Sequence, residues 1–160
     1  MSASRGTEAA LLVAQDFPQL LHGAVLYAPA SVVHESSPRP DGVAWTLRGQ
    51  AVLKDLIPVD HIDGPVLAVA GSDDRLWESN FAAPLIVHEL DQANRRFPHE
   101  ALVVQGAGHS IGGAPYLPHG SKFVYPGQAE PFDTGGTHAA NESALLQGWT
   151  KVLELLASIS

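Results

Sequence analysis

Residues 64–77 read Gly-Pro-Val-Leu-Ala-Val-Ala-Gly-Ser-Asp-Asp-Arg-Leu-Trp, and this stretch decides the fold class. The apolar run from Pro65 to Ala70 stops at Gly71 and gives way to two carboxylates and an aromatic ring. A short apolar run of this kind is a strand buried on both faces, and such strands belong to parallel sheets covered by helices. Ligands in open α/β sheets bind at the loops beyond the carboxyl ends of the strands. Residues 71–77 are therefore the first place to look for chemistry.

Two similar runs flank it. Gly23-Ala-Val-Leu-Tyr-Ala-Pro29 predicts a strand over 24–28, and Glu100-Ala-Leu-Val-Val-Gln105 predicts another, with Gly106-Ala-Gly-His109 as its exit turn. Between them a helix is expected over 81–97, with Ile86, Leu90, Ala93 and Phe97 on one stripe, Asn94, Arg95 and Arg96 in its last turn, and Pro98 ending it. The N-terminal stretch Thr-Glu-Ala-Ala-Leu-Leu-Val-Ala-Gln-Asp-Phe17 is rich in helix formers. A helix should start near residue 5 and be mostly buried, with Ala9, Leu12 and Val13 on one face and Ala10, Ala14 and Phe17 beside them. A last helix over 137–157 places Leu145, Trp149, Val152 and Leu156 at helical spacing, which marks Trp149 as core. The class is α/β, with three parallel strands and flanking helices in a single domain over 1–160.

Two segments break the pattern. Residues 31–58 form an irregular, lid-like excursion, punctuated by Ser36, Ser37, Pro38, Pro40 and Gly42. Within it, 45–53 reads either as a hairpin about Gly49 or as a short lid over a pocket. Residues 110–136 are rich in glycine and proline and carry no expected element.

Composition excludes several functions. A net charge of −8, with 9 Lys and Arg against 17 Asp and Glu and no basic run, argues against binding nucleic acid. The absence of cysteine removes thiolate nucleophiles, disulfides and cysteine-ligated zinc. The histidines show no ligand spacing, so no metal site is expected. No apolar run approaches the roughly 20 residues of a membrane span, and no signal peptide is evident, which points to the cytoplasm.

Three polar residues stand just past strand ends or at a strand-to-helix turn: Ser4, Asp74 and His109. Small residues at Ser2 and Gly6 permit the sharp turn of a nucleophile elbow around Ser4. The plainer alternative is that Ser2 or Ser4 caps the helix. The order Ser, Asp, His is that of the α/β-hydrolase triad. In that scheme His109 takes the Ser4 proton, Asp74 fixes the imidazole tautomer, and the Arg5 backbone N–H contributes to an oxyanion hole. No cofactor or metal enters it. Asp73 and Asp74 both compete for the acid role or form a turn pair; the hydrolase habit of an acid three residues after the strand-ending glycine favours Asp74.

The chain resembles the C-terminal catalytic domain of the acyl-CoA thioester hydrolase and bile acid-CoA:amino acid N-acyltransferase family, within the α/β hydrolases. The resemblance rests on Ser4-Arg-Gly-Thr-Glu8, residues 64–77 with Ser79, Gly106-Ala-Gly-His109, Pro115-Tyr-Leu-Pro118 and Gly135-Gly-Thr-His-Ala139 before Trp149. It implies Ser4 as nucleophile, Asp74 as acid and His109 as base, with Trp77 and Tyr116 as substrate-binding candidates. A serine nucleophile implies hydrolysis of acyl-CoA to a fatty acid and coenzyme A. Carboxylester or dienelactone hydrolysis is the alternative within catalysis. A non-catalytic fragment, or a subunit completed by another chain, is the alternative outside it.

The family fold places further strands before the elbow, so the chain is expected to be the C-terminal half of a hydrolase domain. Two expectations follow. A strained elbow with one unanchored flank should turn over acyl-CoA poorly or not at all. Strand 24–28 should form an exposed apolar edge through which copies self-associate.

Overall fold

The central apolar run forms β5 (Val66–Gly71), buried along its whole length. In the computed structural model, which describes residues 1–36, 42–53, 55–93, 96–113, 122–124 and 129–158, β5 lies third in a parallel sheet. Its neighbours are β2 (Ala24–Tyr27), with Ala24 opposite Val66, and β6 (His99–Val104), with Val66 opposite His99. A fourth strand precedes them: β1 (Ser2–Ala3) pairs with Leu26 and Tyr27, giving the order β1-β2-β5-β6. Three strands were therefore expected and four are present. A two-residue strand is too short to carry any periodicity.

Helices cover both faces. Alternate strand residues divide the core: Ala24, Leu26 and Val66 pack with Leu11 and Ala14 of α1 (Gly6–Asp16) and with Ile86 and Leu90 of α2 (Ser79–Gln92). Val25, Tyr27, Leu67 and Val69 pack on the other side against Ala144 and Val152 of α3 (His138–Ser158). This period-two division is what makes each strand apolar throughout. Ala68 and Ala70 meet Ala83 of α2, small residues on both sides letting helix and sheet approach closely.

Several expectations are corrected. The buried face of α1 is not Ala9, Leu12 and Val13 but Thr7, Glu8, Leu11, Ala14 and Gln15. The reason is polar: this face holds the returning excursion. Gln15 Nε2 donates to Asp60 (2.8 Å) and Gln15 Oε1 accepts from the His61 N–H (2.9 Å), while Glu8 accepts from the Trp45 indole (2.7 Å). Helix α2 ends at Gln92, short of Phe97, and Leu156 on α3 is about half exposed. The region expected to lack structure contains a small antiparallel ladder, β7 (Lys122–Phe123) with β8 (Phe132–Asp133). The expected edge at 24–28 is not exposed: every residue of β2 is buried, and β1 lies outside it. Nor is the elbow's upstream flank loose, because Ser2 and Ala3 are paired in the sheet. The hairpin about Gly49 is present as β3 (Thr46–Leu47) and β4 (Gln50–Ala51), turning through Arg48 and Gly49 at φ 51° and 80°. Two consecutive left-handed residues match the tight turn that twisted strands favour.

No helix among the described residues is long and apolar enough to cross a membrane.

Candidate active site

Ser4 sits in the turn between β1 and α1 with φ 54°, in the left-handed region. Such a conformation costs a non-glycine residue about 1–3 kcal/mol and persists only where the surroundings fix it. Here they do. The Ser4 N–H donates to the Tyr27 carbonyl (2.9 Å), and its own carbonyl accepts from the Thr7 N–H (2.9 Å) and the Thr7 hydroxyl (2.7 Å). Arg5 is the N-cap of α1, which puts its N–H at the positive end of the helix.

Asp74 stands in the loop after β5 and its side chain is fully buried. Oδ1 accepts from the N–H groups of Leu76 (3.0 Å) and Trp77 (3.3 Å), while Oδ2 accepts from the Ser79 hydroxyl (2.5 Å). His109 follows β6. Its N–H donates to Thr134 (2.8 Å), and the preceding Gly108 N–H donates to Asn141 Oδ1 (2.7 Å). These contacts bring three distant residues into one row: Ser4 Oγ is 2.8 Å from His109 Nε2, and His109 Nδ1 is 2.9 Å from Asp74 Oδ2. Asp74, not Asp73, is the carboxylate that meets His109.

Asp73 faces outward instead. With Asp133 it flanks Arg75, at 3.2 and 2.6 Å, and it accepts from the Gly136 N–H (2.9 Å). Both carboxyls are held below their ordinary range, Asp73 chiefly by the Gly136 N–H and then by Arg75, Asp133 chiefly by the Gly135 N–H and then by Arg75. A depressed folded-state value stabilises the fold at pH above the unfolded-state value, and that contribution disappears as pH falls through the folded one. Asp133→Asn is therefore expected to lower the melting temperature at pH 7, with the difference from the parent closing as pH drops below about 4. A difference independent of pH would contradict this origin.

Trp77 lies beside the row. Its indole N–H donates to the carbonyl of Ala28 (3.0 Å), its ring stacks on His34 with centroids 4.8 Å apart, and it meets His109 edge-on, also at 4.8 Å. Trp77 and His34 help line a cavity of about 320 Å³ that continues past Val32, Phe81 and Leu85. Trp77 is thus next to both the row and a largely apolar groove; Tyr116 lies outside the described residues. Among the described residues no cluster of His, Asp and Glu could hold a metal ion. Sequence patterning assigns no role to Ser79, which bonds Asp74 across the turn after β5, or to Glu8, whose partners lie 26 and 37 residues away.

A parallel sheet with a Ser–His–Asp row at the carboxyl ends of its strands defines an α/β-hydrolase-type domain. Residues 43–158 match the family model described as BAAT / Acyl-CoA thioester hydrolase C terminal. The chain belongs to that family. The matched range contains Asp74 and His109; Ser4 precedes it. Among curated proteins, the chain is similar to peroxisomal succinyl-coenzyme A thioesterase of Mus musculus, 30% identical over 61% of this chain and 23% of that protein. It is also similar to acyl-coenzyme A thioesterase 6 of Homo sapiens, 26% identical over 62% of this chain and 23% of the relative. The matched stretch thus spans about a quarter of the length of these relatives.

Proposed function

We propose that this chain hydrolyses acyl-CoA thioesters with Ser4 as nucleophile, His109 as base and Asp74 as its acid partner. The observation that carries the reading is the continuous row of 2.8 and 2.9 Å contacts from Ser4 through His109 to Asp74. An ionised Asp74 keeps the proton on Nδ1, which leaves the Nε2 lone pair to accept from the Ser4 hydroxyl. Ser4 Oγ then attacks the thioester carbonyl, and its proton passes to His109. The oxyanion that forms lies where the Arg5 N–H can stabilise it. Collapse breaks the C–S bond; the leaving sulfur takes the proton from His109, and free coenzyme A departs. A water, deprotonated by the same imidazole, attacks the acyl-serine ester; as the bond to Ser4 Oγ breaks, that oxygen takes the proton from His109 and the carboxylic acid is released. The acyl chain lies in the groove beside Trp77, Phe81 and Leu85.

The names of the relatives support a thioester over a carboxylester substrate, and the pairing of β1 with β2 supports an elbow that holds its shape. The test is thiol release from an acyl-CoA by the purified chain and by Ser4→Ala. Release by the parent, absent in the variant, is expected; equal release from both would overturn the assignment.

A further inference from the structure

Glu8 takes no part in the reaction proposed above, yet it is a fully buried carboxylate one helical turn from Ser4. A buried charge is retained only where its partners satisfy it. Its two oxygens serve two donors: Oε1 is 3.0 Å from His34 Nδ1, and Oε2 accepts from the Trp45 indole N–H at 2.7 Å. The Arg5 guanidinium stands 3.8 Å away and also donates to the His34 carbonyl (3.3 Å). His34 in turn lies flat on Trp77, whose ring abuts His109. A continuous line of contacts therefore runs from Glu8 through His34 and Trp77 to the imidazole that faces Ser4.

We propose that Glu8 is a positioning residue: by fixing the His34 ring, it holds Trp77 against His109 and so keeps the imidazole aligned with the Ser4 hydroxyl. The inference rests on Ser4 and His109 acting as proposed. A carboxylate suits this place, because each of its oxygens accepts from one ring, the imidazole N–H and the indole N–H, so that one side chain holds both. Through the same contacts, Glu8 ties the segment carrying His34 and Trp45 to the reacting groups, so docking of that segment and alignment of His109 are one event.

The test measures the rate at which a small fluorophosphonate labels Ser4, because that reagent needs an aligned imidazole and does not fill the acyl groove. Each variant is assayed well below its own melting temperature, so that loss of fold does not enter the rate. Glu8→Leu, which removes both acceptors, is expected to label about tenfold more slowly than the parent, the scale on which one aromatic contact acts. His34→Ala, at a partly exposed position that tolerates truncation, is expected to show a similar loss and carries the test if Glu8→Leu does not fold. The double variant should lose no more than either single one, since both break the same line. A merely structural Glu8 would lower the melting temperature and leave the rate alone. Parental rates in Glu8→Leu, or in His34→Ala where Glu8→Leu does not fold, would overturn this inference while leaving Ser4 as nucleophile. A parent that fails to label would overturn the nucleophile assignment and this inference with it.

Discussion

Asp74→Asn is expected to slow labelling of Ser4 by about 10⁴-fold, while Asp73→Asn changes it by less than about threefold. The two residues are adjacent in sequence and opposite in environment. Asp74 is fully buried and meets His109 Nδ1, whereas Asp73 is substantially exposed and paired with Arg75. Asparagine at 74 turns a donor toward Nδ1 and favours the tautomer with its proton on Nε2. That nitrogen then cannot accept from the Ser4 hydroxyl. The Leu76 and Trp77 N–H groups can still bond the remaining oxygen, so the fold should survive and the loss should lie in reactivity. Similar rates for the two variants would contradict the assignment of Asp74.

Gly108→Ala is expected to damage the framework of the site severely. A Cβ there would run into the backbone of Gly135 and the Thr134 carbonyl, so the collision is with main chain and not with a side chain that could swing away. The same turn supplies the Gly108 N–H to Asn141 and the His109 N–H to Thr134. Overpacking against unyielding backbone costs about 3 kcal/mol, which corresponds to roughly 6–12 °C in melting temperature for a domain of this size. Gly6→Ala is the stability control, since the nearest atom its added Cβ would meet among the described residues is the Ser2 Cβ at 3.7 Å, an ordinary contact. Equal melting temperatures for Gly108→Ala and the parent would mean that the turn can relax, and that His109 is less firmly held than the contacts imply.

These two positions also show how legibility varied along the chain. The run ending at Gly71 and the Gly-Ala-Gly before His109 could be read because buried parallel strands are apolar throughout and close turns require small residues. The Ser, Asp, His order pointed to the residues that the fold brings together. Side-chain chemistry alone does not separate Asp73 from Asp74, because neighbouring carboxylates differ only in what surrounds them; only the spacing from Gly71 favours Asp74. The buried face of α1 was misread for a related reason. Apolar periodicity predicts burial of Leu12 and Val13, but Thr7, Glu8 and Gln15 are buried because they bond a segment that returns from far along the chain. β1 and the β7–β8 ladder, at two residues per strand, are shorter than any period.

The central claim, that the elbow and its partners make Ser4 a nucleophile, is tested most directly by intact mass after treatment with a fluorophosphonate that labels only activated serines. The 160-residue chain and Ser4→Ala are treated side by side. The account predicts one adduct on the parent and none on the variant. An unmodified parent, or an equal adduct on Ser4→Ala, would contradict it.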